Sequence, residues 1–181
     1  MNLFRCCLQA LINSIQESGD GQAGDLQHDT VIRLTALFDH EEVGSESAHG
    51  AASLLLESTM RRLSAGASPL AFEEGVAKSF LVSADMAHGV HPNYSGKHED
   101  NNRPQLGAGV VIKENANQRY STTAATATLL RLIGQRVGQT LQDFATKNDM
   151  PCGSTIGPIL SSGLGLRTIG RLKLCKKKSG C

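Results

Sequence analysis

SFLVSAD, residues 79–85, is a short apolar run that ends on a carboxylate. Its length and composition read as a strand, with Asp85 leaving its end. Upstream, VIRLTALF (31–38) repeats the pattern and reads as a second, buried strand that runs into Asp39, His40, Glu41 and Glu42. Downstream, GVVIKE (109–114) is a third, with Lys113 near its close. LQDFATK (141–147) alternates like a strand, and LRTI (166–169) opens a final one. Helical periodicity fills the gaps between them. Leu3, Cys6, Cys7, Ala10, Leu11, Ser14 and Ile15 predict an amphipathic helix over 3–17. A helix is expected from about Ser47 to Leu63, with Arg61 and Arg62 complementing its C-terminal dipole. A short one is expected over 71–78, and another over 122–137 through Ala125, Leu129, Leu130, Ile133 and Val137. Residues 151–165, PCGSTIGPILSSGLG, mix a loop with one short helix. Residues 86–107 are rich in Pro, Asn and Gly and predict a long polar loop with no regular element. This succession gives an α/β fold, a mixed sheet flanked by helices. Ligands in such folds sit in the loops that leave strand ends, which directs attention to 39–44 and 85–94.

Composition narrows the function classes. With 181 residues, 40% of them hydrophobic, the chain can bury a core. A net charge of +1 gives no nucleic-acid footprint. The one basic cluster, Lys173, Lys176, Lys177 and Lys178, reads as a solvated tail. The five Cys are odd in number and lack zinc-ribbon spacing, so Cys6 and Cys7 are expected as buried thiols in a reducing compartment. No stretch reads as a signal peptide or a membrane span. The expectation is a cytoplasmic protein.

Four groups of residues could carry chemistry. Glu41 and Glu42 could divide two tasks, one ligating a metal and the other taking a proton from a bound water. They could equally be a solvated acidic loop that opens a helix. Asp85, followed by His88 and His91, suits zinc, manganese or cobalt, or else caps a turn. Lys113 could be a lone cation awaiting an acidic substrate group, or a strand-end lysine that snorkels to water. Around Ser154 and Thr155, Gly153 and Gly157 permit close backbone approach. Cys152 has no identifiable base and reads as structural.

Five runs occur in order with fitting spacing: FDHEEVGSESAHGA (38–51), SADMAHGVHPNY (83–94), NRPQLGAGVVIK (102–113), QRY (118–120) and NDMPCGSTIGPIL (148–160). Together they resemble aspartyl aminopeptidase over about residues 2–169. The resemblance implies a zinc-exopeptidase-like α/β fold, incomplete here, with two zinc ions in the complete family site. It implies removal of an N-terminal Asp or Glu from peptides through a zinc-activated water. Glu41 is then the general base, Glu42 and Asp85 are zinc ligands, and Lys113 faces the acidic substrate side chain. His88 and His91 belong to the signature without a ligand role. The same resemblance implies departures. The family's first zinc-ligating His falls in a segment upstream of this chain. Its bridging Asp precedes an Asn-Leu pair, where Met1 stands before Asn2-Leu3. Its last ligating His falls beyond the LGLRTI segment, after which this chain continues as a basic tail, 170–181, unlike the family. The insert that pairs family subunits into homo-oligomers also falls upstream. The expectation is therefore a partial catalytic domain over 1–169 with impaired activity. The alternative is a non-catalytic truncated product that at most binds full-length subunits.

Overall fold

The computed structural model describes residues 3–16 and 30–174, with the backbone alone for 171–174. The readings of Cys175, Cys181 and Lys176 to Lys178 lie outside the described residues. The chain divides into two compact units, Met1–Phe38 and Asp39–Cys181.

In the first unit, helix α1 (Leu3–Gln16) forms as its periodicity predicts. Leu3, Cys6, Cys7, Leu11, Ser14 and Ile15 are its half-buried positions, and they share one face. Cys6 and Cys7 are therefore half-buried, not the buried thiols expected. VIRLTALF departs further from expectation. Residues 31–38 are not a strand and join no sheet. Val31 and Ile32 are 59% and 66% exposed. A strand exists only where a neighbour pairs its backbone, and no described strand does so here. Within the unit, the Thr35 hydroxyl donates to the Cys7 carbonyl at 3.5 Å.

The second unit holds helices α2 (Leu55–Leu63) and α3 (Ala71–Lys78), then strands β1 (Phe80–Ala87) and β2 (Val110–Glu114). Helix α4 (Ala124–Arg136), strand β3 (Leu141–Ala145), helix α5 (Ile156–Leu164) and strand β4 (Arg167–Leu174) follow. The four strands form one mixed sheet in the order β1-β4-β2-β3. β1 runs parallel to β4 from Phe80↔Arg167 to Ala87↔Leu174. β2 runs antiparallel to β4 and parallel to β3. The expected mixed sheet with covering helices is thus what forms.

β2 explains the packing. Val111 and Ile112 are fully buried, on opposite faces of the sheet. On one face Val111 packs with Tyr120 and Phe144, backed by Ala87 and Cys152. On the other, Ile112 packs with Ala127 of α4 and Ile169 of β4. A strand covered on both faces needs a continuous apolar run, which is why GVVI shows no alternation. α4 starts cleanly because Thr123 and Thr126 form a reciprocal capping box.

Three local expectations need correction. The helix expected from Ser47 begins only at Leu55, and tight turns precede it. Gly50 sits so close to Ser45 that any Cβ would collide with the Ser45 carbonyl, a packing that a regular helix would not allow. Asp85 lies inside β1, paired with Leu172, instead of after the strand. Residues 86–107 also contain regular structure, a kinked 3-10 helix at Pro92–Lys97. Pro92 needs no donor in its first turn, and the His91 Nδ1 accepts from the Asn93 amide at 3.2 Å.

Candidate functional site

Glu41 and Glu42 ride on a single 3-10 turn, Glu41–Val43, bounded by left-handed His40 and Gly44. Several bonds hold this turn. The Ser45 amide donates to the His40 carbonyl at 2.8 Å, and the Asp39 amide to the His49 carbonyl at 3.1 Å. The His40 ring Nδ1 meets the Ser47 hydroxyl at 2.7 Å. Ser45 is itself left-handed and buried. Left-handed non-glycine residues are costly, so their presence on both sides of the acidic pair marks a shape held by its surroundings.

Asp85 reaches the site from β1, and its Oδ1 accepts from the Met86 amide at 2.6 Å. Lys113 reaches it from β2. Its side chain lies on the Val111 face, only 7% exposed. Its Nζ stands 4.7 Å from the Tyr120 ring centre and 5.9 Å from that of Phe144. This contradicts the picture of a strand-end lysine snorkelling to water.

Electrostatics bind these residues into one neighbourhood. The Glu41 carboxyl is pushed above its ordinary value by burial, then by the charges of Asp85 and Glu42, against the opposing pull of Lys113. Lys113 is held below the usual lysine value by burial, and Asp85, Cys152 and Glu41 offset part of that. Three carboxylates against one ammonium leave an excess of negative charge, a setting that favours a cation or a retained proton.

Around Lys113 stands a layer of which the sequence reading named His88 and Cys152 but not Tyr120, His98 or Phe144. The Tyr120 hydroxyl and the Cys152 thiol meet at 2.8 Å. Burial and Cys152 push the Tyr120 phenol well above its ordinary value. His88 and His98 each stack edge-on to Phe144, with ring centres 5.6 and 5.7 Å from it. Both imidazoles are held below the usual histidine value by burial. Lys113 adds to this at His88, and His88 and Arg103 add to it at His98. The ordering signal was in the sequence only as scattered aromatics and histidines, with no common spacing. His91 stays in its own turn against Tyr94.

Among the described residues no group of three or more His, Cys, Asp or Glu is spaced to hold a metal ion. Zinc usually takes four protein ligands, or three and a water. The carboxylates at 41, 42 and 85 offer suitable oxygen donors but do not fit a complete zinc site by themselves.

The family profile described as "Aminopeptidase I zinc metalloprotease (M18)" matches residues 4–171. The chain belongs to the M18 family. Among similar M18 proteins, aspartyl aminopeptidase of Caenorhabditis elegans is 51% identical over 158 residues, covering 87% of this chain and 33% of its own length. Aspartyl aminopeptidase 1 of Schizosaccharomyces pombe is 45% identical over 165 residues, covering 91% of this chain and 34% of its own length. A chain in the cryo-EM structure of the Ape4 and Nbr1 complex superposes with a TM-score of 0.71 at 50% identity, covering 74% of this chain and 26% of that one. The S. cerevisiae mApe1 dodecamer superposes with a TM-score of 0.67 at 31% identity, covering 76% and 30%. This chain therefore spans about a third of the length of the curated M18 relatives it matches. No described helix is long and apolar enough to cross a membrane.

Proposed function

We propose that this chain supplies part of the active site of a cytoplasmic metalloaminopeptidase that releases N-terminal Asp or Glu from peptides. The observation that carries this reading is the convergence of charge on Glu41, where Asp85, Glu42 and Lys113 all act at once. Glu41 is the proton carrier. A carboxyl raised above its ordinary value is a better base for water and can return the proton to the leaving amine. Glu42 and Asp85 give oxygen ligands toward the zinc ions, two in the complete site. Zinc, when bound, supplies a Lewis acid that lowers the pKa of water. Lys113, desolvated beside Tyr120, receives the substrate's acidic side chain. An ammonium that has already lost its water gains more from a carboxylate than an exposed one does. Residues 1–169 act as the partial catalytic domain, and the tail expected from 170 begins no earlier than 175, because 170–174 complete β4 inside the sheet. Homo-oligomers are the family habit, and the yeast relative's dodecamer supports that setting.

A chimera tests the reading. Residues 4–169 of this chain replace the matched segment of the C. elegans enzyme, and turnover of Asp- and Ala-peptides is compared. Preference for the Asp-peptide is expected. Glu41→Gln should cut kcat by roughly a hundred-fold or more. Lys113→Met should raise KM for the Asp-peptide with little change for the Ala-peptide. A Glu41→Gln chimera with unchanged kcat would overturn the assignment.

A second reading has its own support in the carboxylates at 41, 42 and 85, which among the described residues do not form a three-ligand group. In it, the chain alone is impaired and at most binds full-length subunits. The chain alone should show little or no Asp-peptide turnover with added zinc, and turnover at the rate of a full-length relative would refute that. Co-purification with a full-length subunit, without zinc, would favour this second reading.

A further inference from the structure

A cavity of about 440 Å³ is lined by none of Glu41, Glu42, Asp85, Lys113 or Tyr120. Its wall is formed by the loop through Gln118 and Ser121, the first turn of α4, part of α5 and the start of β4. Among the described residues Arg167 is the one charged side chain in that wall, and no carboxylate joins it. Arg167 makes no ion pair with a described carboxylate; its Nη2 donates to the Ala77 carbonyl at 3.2 Å. A guanidinium carries several N–H donors, so most of those on Arg167 are left over. The Ser121 hydroxyl and the Gln118 side-chain amide also have no hydrogen-bond partner among the described residues. In α4 the Thr123 hydroxyl takes the Thr126 amide at 3.3 Å. The amides of Ala124 and Ala125 then have no partner inside the helix, and Ala125 belongs to the wall.

We infer that this cavity is a binding site for a phosphate-class oxyanion, the phosphate group of a small molecule. Charge selects the ligand. A cation would meet the repulsion of Arg167, and a neutral apolar molecule would strip water from that guanidinium and give it nothing in return. An anion takes charge-assisted bonds from it. The leftover donors sit on three segments: the 118–121 loop, α4 and β4. A tetrahedral oxyanion, whose oxygens point apart, can accept from several sides at once, whereas a planar carboxylate accepts from fewer. The volume falls within the roughly 300–1,000 Å³ typical of small-molecule sites, so a body attached to the phosphate has room as well. The wall also bears on the neighbourhood of Lys113. Gln118 and Ser121 are both left-handed, at φ 56° and 53°, and Tyr120 stands in the chain between them. An occupant bonded to this loop steadies the segment that lays the Tyr120 ring beside the Lys113 Nζ.

The test uses the full 181-residue chain, labelled with nitrogen-15, and inorganic phosphate as probe against chloride at equal ionic strength and pH. The amides of Ser121, Ala125 and Arg167 should shift saturably with phosphate and not with chloride, and the melting temperature should rise with phosphate concentration. Arg167→Gln should weaken phosphate binding roughly ten-fold, the loss of a charge-assisted donor. Arg136→Gln removes the same charge from the last turn of α4, outside the cavity, and should leave binding unchanged. A folded wild-type chain whose amides do not move overturns the inference without needing any variant. Equal losses from Arg167→Gln and Arg136→Gln would also overturn it, because they would mean general attraction to a positive surface. Acetate binding as tightly as phosphate would overturn the choice of a tetrahedral anion. None of these outcomes involves metal or peptide turnover, so this inference and the catalytic reading can fail separately.

Discussion

Residues 31–38 and β1 began as equivalent readings, two apolar runs that end in carboxylates, and the structure treats them differently. β1 pairs along its whole length with β4, from Phe80 to Ala87. Residues 31–38 pair with no described strand and keep Val31, Ile32, Leu34 and Leu37 exposed. The lesson is that apolar, β-branched composition makes a strand only when a neighbour completes its backbone bonds. The two carboxylate groups inherit the difference. Asp85 is placed by a sheet ladder, whereas Glu41 and Glu42 are placed by a turn held through its own hydrogen bonds.

Hydrogen exchange should give the largest contrast. Amides of β4 are expected to open only with global unfolding, while those of Leu34, Ala36 and Leu37, which no described strand pairs, exchange far faster. Equal protection in both would erase the distinction. Next in size is the fully buried Ile169, which sits opposite Val82 in the β1–β4 ladder. Ile169→Ala should cost about 2–5 kcal/mol, read by urea unfolding, enough to unfold a marginal domain.

A smaller effect is expected at Glu41. Its carboxyl is raised by burial, Asp85 and Glu42, so the folded chain keeps that proton at a pH where the unfolded chain has lost it. Its contribution to stability therefore falls as pH climbs above the ordinary glutamate value of 4.5. Glu41→Gln should remove that slope and raise stability at neutral pH by well under about 1 kcal/mol, because water screens a carboxyl that is largely unburied. A melting temperature that drops instead would show that the carboxylate is a net structural asset. Smallest of all, Leu34→Ala should change stability by no more than about 0.5 kcal/mol, because its side chain is 46% exposed. A loss comparable to that of Ile169→Ala would show that 31–38 is packed after all.

Much of this was legible beforehand. The helical spacing of 3–17 and 122–137 located α1 and α4 to within two residues at each end, and the apolar run GVVIKE (109–114) located β2. The residues singled out for the site, Glu41, Glu42, Asp85 and Lys113, do influence one another electrostatically. What escaped depends on contacts between distant segments. Nothing in residues 48–54 announced that Gly50 would press against Ser45. No local pattern said that Lys113 would be wrapped by Tyr120 and Phe144. The 3-10 turn at Pro92–Lys97 relies on a side-chain bond from its own preceding histidine, which polar composition alone disguised as loop.

The place of β4 carries one more implication, for how the molecule is made. It lies between β1 and β2, yet of the four strands it comes last in the chain. On a ribosome, β1 must therefore wait for Arg167 to emerge before it gains a neighbour, and the β2–β3 ribbon waits beside it. Until then the lone β1 and the β2–β3 pair expose unpaired edges, and a chaperone that shields edges has its longest window of work there.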